Sequence, residues 1–401
     1  MLDFDSAQKK LAEAGPAPAA PQTVALMQAN GRVLARAATA VLDAPPADNS
    51  AMDGYALRAA DYAEGRGLPV HQRVYAGEAP QPLPPGQAAR LFTGSLMPPG
   101  ADTVVMQEDC TETDGEVFIA RPPRPGQHVR RRGEDIARGA TLLPAGTVLG
   151  PAQIAALASQ GMATLAVYPR VRVGILTTGD ELVAAGQPRA EQQIFNSNGP
   201  MLAALAEDMG AVPQRVLHAP DDAASLRRAF EQLLAECDLV LSVGGVSVGE
   251  RDLVKPTLAA LGGQLDLWKV RMKPGKPVAL AHVGGKPVVG LPGNPVSAFA
   301  VFALMVTPML RRMQGRAEPF PAVERGVLLA GKPYRGDREE FLRVRSSVNE
   351  QGVRALTPYP QQGSGVISSL PWAHGLARLP ADTTVEAGDL VRYYDLKHWL
   401  R

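Results

Sequence analysis

The stretch from Val171 to Val243 constrains the fold most, because runs of strand character and runs of helix character alternate along it. Val171 to Leu176 is apolar and β-rich and runs into Thr177-Thr178-Gly179-Asp180. Asn198 to Met209 has helical spacing and is closed by Gly210, and Val212 to Leu217 forms a second strand. Leu226, Phe230, Leu233, Leu234 and Cys237 then share one helical face, with Asp221 or Asp222 placed to cap its N-terminus. Asp238 to Val243 is a third strand, leading into Gly244-Gly245. This alternation is that of a parallel α/β sheet covered on both faces, and the region closes with a helix over Val296 to Arg312.

A chain of 401 residues exceeds one ordinary core, so further domains are expected on either side. From about 41 to 147, glycine and proline recur as punctuation (PPAD, PLPPG, MPPG, RPPRPG, LPAG), which predicts short strands and turns. Thr103 to Met106 and Glu116 to Ala120 read as strands, with Thr113-Asp114-Gly115 as a turn. Ser6 to Arg36 reads as helical, broken by an Ala/Pro loop at 14–21. Pro151 to Gly161 is a helix with proline in its first turn and glycine at its end. The segment from about 318 to 401 returns to short strands, as a small β-domain. No repeat of 20–50 residues is visible.

Lys and Arg total 41 against 40 for Asp and Glu, so there is no global pull toward nucleic acid or an anionic membrane, and any anion site must be local. Cys110 and Cys237 are too few for a Cys-rich zinc site or a disulfide framework and read as small buried hydrophobes. The six histidines show no HxH or HExxH spacing, and no GxSxG or Cys/His nucleophile pattern occurs. The N-terminal MLDFDSAQKK lacks the apolar core of a signal peptide. Ala298 to Met309 falls short of the ~20 residues that cross a bilayer and reads as a buried helix. These features point to a cytoplasmic protein.

In open α/β sheets ligands sit at the carboxyl ends of the strands, so the loops leaving them are the first candidates. Gly244-Gly245-Val246-Ser247-Val248-Gly249 can bring backbone N–H groups to a phosphate, although tight turns alone also require such glycines. Asp180, Glu181, Glu250 and Asp252 lie on loops at the same edge, where hard oxygen ligands suit Mg2+; the alternative for Asp180 and Asp252 is helix capping. Lys269, Arg271, Lys273 and Lys276 crowd a short segment stiffened by Pro274 and Pro277, fit either for an oxyanion or for solvent. Leu291-Pro292-Gly293-Asn294-Pro295 is a rigid turn opening the apolar helix, with Asn294 as its expected cap. Asp48 to Ala56 and Arg130 to Ile136 pack polar groups densely into turns in the N-terminal half.

Taken in order, eight segments resemble the molybdopterin molybdenumtransferase family, the MoeA proteins and gephyrin E domains. They are DNSAMDGYA at 48–56, TGSLMPPGADTVVMQE at 93–108, RRRGEDI at 130–136, TTGDEL at 177–182, SVGGVSVGERD at 242–252, KPGKP at 273–277, LPGNPVSA at 291–298 and, more weakly, GSGVISSL at 363–370. The resemblance implies an elongated multi-domain chain: a discontinuous helical linker domain (1–40 and 141–170), an inserted β-rich domain (41–140), a parallel-sheet α/β molybdopterin-binding domain (171–316) and a C-terminal β-barrel-like domain (317–401). It also implies a homodimer, with the inserted domain of one subunit facing the α/β and C-terminal domains of the other.

The activity implied is insertion of molybdate into adenylylated molybdopterin with release of AMP, in molybdenum cofactor biosynthesis, with Mg2+ as cofactor. A transient contact with the molybdopterin adenylyltransferase goes with it. By residue, Asp180, Glu181, Asp221 and Asp252 match acidic positions around Mg2+ and the pterin phosphate. Lys269, Lys273 and Lys276 match the basic segment that meets molybdate or phosphate, and Pro292 and Pro295 the turn beside it. Gly244, Gly245, Ser247 and Gly249 belong to the glycine loop. Asp53, Thr93 and Asp135 match positions supplied by the inserted domain, and Arg343 and Ser364 match an arginine and a serine near the oxyanion. The chain departs from the family at Asn196, where an aspartate is usual, at Gly365 in place of a histidine, and at His374 in place of an asparagine. Two alternatives are the adenylyltransferase of the preceding step, which lacks the other domains, and a non-catalytic scaffold.

Overall fold

The computed structural model of the chain describes residues 2–245 and 253–401. The chain folds as two compact units, Met1–Arg36 with Ala145–Gly150 and Thr164–Arg401, and Ala37–Pro144 with Pro151–Ala163.

The first unit begins with α1 (Phe4–Glu13), capped by Asp3, whose carboxylate accepts from Ser6 N–H, and burying Phe4, Ala7 and Leu11. Its centre is a six-stranded sheet. In chain order it contains β1 (Arg172–Thr178), α2 (Asn198–Asp208), β2 (Val212–Ala219), α3 (Ala223–Glu236), β3 (Leu239–Val243), α4 (Val254–Ala260), β4 (Gln264–Lys269), β5 (Pro277–Val283) and β6 (Lys286–Leu291). The spatial order is β2-β1-β3-β6-β5-β4. The first four are parallel; the alternation predicted three of them, β1, β2 and β3. Successive residues of β1 serve opposite faces: Val173 and Ile175 join one core cluster, Leu176 the other. A sheet buried on both faces has this near-continuous apolar composition. Asp222 caps α3 by accepting from Ser225 N–H at 2.8 Å.

The remaining edge of this sheet was not anticipated. β5 and β6 form an antiparallel hairpin, Val283 opposite Lys286, closed by Gly284 and Gly285 at φ 56° and 79°. Two central residues at positive φ are the hairpin turn that Gly-Gly favours. β4 pairs antiparallel with β5 at the outer edge.

The apolar helix falls where expected, one residue longer at each end. It runs Pro295–Met313 (α5), 19 residues, and is mostly buried inside the chain, which makes it a core helix. A π-turn interrupts it at Phe302–Val306. Pro308 has no N–H to give the Leu304 carbonyl, and Gln8 Nε2 donates to that oxygen instead, at 2.5 Å.

The N-terminal helical reading holds only up to the Ala/Pro loop. Beyond it, Gln22–Ala25 is a strand paired antiparallel with Thr164–Val167, followed by a single 3-10 turn.

The C-terminal region is a closed five-stranded barrel of β7 (Glu324–Leu328), β8 (Glu339–Val348), β9 (Arg354–Pro358), β10 (Gly375–Leu379) and β11 (Leu390–Asp395), with a terminal helix α6 (Leu396–Trp399). Closure comes from β8 pairing with both β9 and β10. Leu328, Leu342, Val344, Leu356, Leu379 and Tyr393 fill its interior.

The second unit holds another six-stranded sheet, including Thr103–Met106 and the hairpin Cys110–Thr113/Glu116–Ile119, whose turn Asp114-Gly115 has both φ values positive. Pro151–Ser159 is helical, as read from its punctuation. Both cysteines are free, and burial raises each thiol to about 11, so neither is poised as a thiolate.

Candidate functional site

A cleft of about 510 Å³ opens at the carboxyl end of the α/β sheet, against the barrel. Gly244 and Gly245 line it directly after β3. Gly244 sits at φ 96°, and a Cβ there would lie 2.7 Å from Thr178 Oγ1, so no larger residue fits beside the end of β1. The turn requirement and the exposure of backbone to the cleft therefore coincide at one residue.

The basic segment between β4 and β5 forms the second wall. Val270 and Met272 are buried, while Met272–Lys273 pairs in parallel with Glu339–Glu340 of β8. Lys273 extends from this pairing to Glu340, Nζ to Oε1 at 2.9 Å. Gly275, at φ 106°, packs where a Cβ would meet Val301, and so presses the turn onto α5. Lys276 is exposed, lines the cleft and has no acidic partner among the described residues.

The third wall is the Pro292–Pro295 turn. Asn198 Nδ2 donates to the Gly293 carbonyl at 2.7 Å and fixes it to α2. Asn294 occupies the N-cap position of α5 but makes no capping bond. Its Nδ2 donates instead to Ser364 Oγ at 3.1 Å, which corrects the expectation of a simple cap and links the turn to the barrel loop. Pro292 lines the cleft; Pro295 is the first residue of α5 and does not.

The barrel contributes Arg338, Gln362, Gly363 and Ser364. Arg343 does not line the cleft and is only 1% exposed. Its guanidinium donates to Ser369 Oγ and to the carbonyls of Gln361 and Gly363, and Gln362 spans its backbone N–H and C=O. Burial lowers its pKa to about 10. Arg343 therefore shapes the 361–364 loop from behind, and the arginine that reaches the cleft is Arg338, which sequence reading missed. The parity of β8 held the signal for Arg343. Leu342 and Val344 fill the barrel, so Arg343 must leave by the other face.

Asp180, Glu181 and Asp221 follow β1 and β2 on the same sheet edge, outside the cleft lining. No helix follows Asp180, so capping does not explain it; its Oδ1 accepts from Asp221 N–H at 3.1 Å. Asp221 is exposed, and partial desolvation, then the charges of Asp180 and Glu181, raise its carboxyl above its ordinary range. Gly179, at φ 139°, leaves room for the Glu181 carboxylate where a Cβ would lie. Lys269 stands exposed on the edge strand β4, away from the cleft lining. Ser247, Gly249 and Asp252, with Glu250, lie outside the described residues.

Of the departures, Asn196 is a brace: Nδ2 donates to Thr177 Oγ1 at 2.8 Å and Oδ1 accepts from Gly199 N–H at 3.0 Å. An aspartate could not donate to Thr177 in this way. At Gly365 a Cβ would meet open space, so nothing takes the volume of the usual histidine. His374 lies at the start of β10, its Nδ1 3.2 Å from the Ser346 carbonyl, and does not line the cleft.

In the second unit, three of the polar motifs converge. Asn49–Ser50 pairs with Val129–Arg130, and Asp48 accepts from Arg131 Nη1 at 2.6 Å and from Arg132 N–H. Gly94 N–H donates to the Ser50 carbonyl. Asp53 accepts from both the N–H and the hydroxyl of Thr93, at 2.7 and 2.8 Å, and the first of these bonds lowers its pKa most. Asp135 is exposed on the adjoining turn and donates its N–H to the Ala44 carbonyl.

Three family models match the chain: the MoeA N-terminal region (domains I and II) over residues 2–161, a probable molybdopterin binding domain over 174–312, and the MoeA C-terminal region (domain IV) over 325–396. A molybdopterin molybdenumtransferase of Haemophilus influenzae is 35% identical, with all of both chains covered. Molybdopterin molybdenumtransferase 2 of Mycobacterium tuberculosis is 37% identical over 94% of this chain and 95% of its own. The crystal structure of the molybdopterin biosynthesis MoeA protein of Pyrococcus horikoshii superposes with a TM-score of 0.83 at 30% identity, covering 98% of this chain and all of that one. The chain therefore belongs to the MoeA family, the molybdopterin molybdenumtransferases.

Proposed function

We propose that this chain inserts molybdate into adenylylated molybdopterin and releases AMP. One observation carries the reading: Lys273, Lys276 and Arg338 surround one polar cleft bounded by the Gly244-Gly245 backbone and Ser364, in a chain whose total charge is balanced. Molybdate is a tetrahedral dianion. Lys276 and Arg338 offer it charge, and Ser364, held by Asn294, offers a hydroxyl at a fixed place. As the two dithiolene sulfurs of the pterin bind molybdenum, their two thiol protons leave with one oxo group as water, and attack of a water molecule on the adenylyl phosphoanhydride releases AMP. The protein's contribution is positioning and electrostatic stabilisation, which needs no covalent nucleophile.

We propose that Asp180, Glu181 and Asp221, which follow β1 and β2 on one sheet edge, supply carboxylate ligands to Mg2+. They are hard oxygen donors, and the Asp221 carboxyl, raised first by desolvation and then by the charges of Asp180 and Glu181, is one whose ionised form a divalent cation would favour. Mg2+ there would neutralise charge on the anhydride. We further propose a homodimer in which the Asp53–Thr93 and Asp135 turns of one chain face the cleft of the other, a cytoplasmic location, and a transient contact with the adenylyltransferase that supplies the substrate.

The test is to mix the chain with adenylylated molybdopterin, molybdate and Mg2+. AMP should appear only with molybdate present; no AMP above the protein-free rate would refute the activity. Light scattering should give twice the monomer mass, and a fully active monomer would refute the dimer.

A further inference from the structure

We infer that Glu324, Asp395 and His398 form a site for a divalent first-row transition metal of the zinc class, which ties the C-terminal helix to the first strand of the barrel. One donor atom from each of the three residues lies within 4.8 Å of the other two. They come from three places that the fold fixes. Glu324 opens β7, Asp395 closes the neighbouring strand β11, and His398 sits on α6. The helix is held in place, since Trp399 is 1% exposed and its Nε1 donates to the Ala322 carbonyl at 3.3 Å.

Each carboxylate already has one oxygen held and the other left over. Glu324 Oε2 takes Arg354 Nη2 at 2.7 Å, and Asp395 Oδ1 accepts from Lys397 N–H at 2.8 Å. Outer contacts of this kind orient metal-binding carboxylates. The second oxygen of Glu324, Oε1, faces His398 Nδ1 at 3.4 Å. That is long for a charge-assisted hydrogen bond, which runs to about 2.9 Å. It matches the ligand-to-ligand edge, about 3.4 Å, of a tetrahedron with metal bonds of ~2.1 Å. One imidazole and two carboxylates suit zinc, cobalt or nickel, whereas Mg2+ prefers oxygen ligands and water. A fourth position is left for water. Arg354 sets a positive charge beside the site and moderates its affinity. None of the three residues lines the cleft, so the metal would act on the C-terminus and leave the transfer chemistry alone.

The rival explanation is an imidazolium–carboxylate pair between His398 and Glu324, without metal. The experiment uses the full chain, free of any affinity tag and stripped with chelator, titrated calorimetrically with Zn2+, with Co2+ absorption in the visible as a second readout. Expected is one saturable equivalent and a metal-dependent rise in melting temperature. His398→Ala and Asp395→Asn should each weaken binding by about tenfold or more and abolish that rise. Without metal both variants should melt like the parent, because His398 is 69% exposed and Asn caps a helix about as well as Asp. Absence of saturable binding in the parent, or binding retained by either variant, overturns the site.

Discussion

Lys273 Nζ and Glu340 Oε1 stand 2.9 Å apart, joining the basic turn of the α/β sheet to the barrel strand β8. Half of the lysine side chain is exposed while the glutamate is 15% exposed, so the pair sits at the cleft rim with its anionic end turned inward. The charge of Lys273 is thereby already matched. Glu340→Gln should release it toward molybdate and lower the KM for molybdate several-fold. A partly exposed pair contributes ~1 kcal/mol at most, so the melting temperature should barely move. Steady-state AMP release across a molybdate titration checks the first part and calorimetry the second; a raised KM would show that Glu340 aids the oxyanion site.

Arg338 and Arg343 should separate function from stability. Arg343→Met removes the donors of two loop carbonyls and one hydroxyl, and should cost about 1–3 kcal/mol in urea unfolding. Arg338→Met, at a partly exposed position, should stay within roughly 0.5 kcal/mol of the parent while molybdate use weakens. Equal losses of stability in the two variants would contradict the division of roles.

Gln8→Ala should leave the Leu304 carbonyl without a donor inside the core, next to the proline that created the need. A buried acceptor left unsatisfied costs about 1–3 kcal/mol. Gln8→Glu should be no better, because a carboxylate brings a charge and no donor. Denaturant midpoints of the two variants decide it.

Asp221 gives a pH-dependent prediction with a definite sign. Its pKa is raised in the folded chain, so the folded state binds more protons than the unfolded one through the carboxylate range. The penalty is therefore absent at the acid end, where both states are protonated, and grows as the pH rises past the ordinary carboxylate value. Asp221→Asn should melt higher than the parent at pH 7, with the gap narrowing toward pH 4. Adding Mg2+ at pH 7 should stabilise the parent more than the variant. A variant that melts lower at pH 7 would contradict both the raised pKa of the carboxyl and the cation reading.

The parallel strands, their capped helix α3 and the hairpin turn at Asp114-Gly115 were legible because local signals and burial agree there. The β5–β6 hairpin was not read although Gly284-Gly285 announces it, because a two-residue turn leaves no intervening helix to mark the change of strand. The strand at Gln22–Ala25 could not be read from periodicity, because its partner, Thr164–Val167, lies far along the chain. In the site, the glycine and lysine turns were legible as motifs. That Arg338 reaches the cleft was not, since it stands just before β8; the alternation of β8 speaks only for Arg343, placed on the face opposite Leu342 and Val344. Asn294 reads as a cap by position, and its bond to Ser364 depends on a barrel loop 70 residues away.

The central claim is that the cleft between the α/β sheet and the barrel is where molybdate binds. Its most direct test is the molybdate concentration giving half-maximal AMP release in Lys276→Ala and Arg338→Ala, measured beside the parent with melting temperatures for all three. Both variants should require about tenfold more molybdate or beyond, equivalent to ~1.4 kcal/mol each, at unchanged melting temperature. Half-saturation identical to the parent in both variants would place the oxyanion elsewhere and contradict the account.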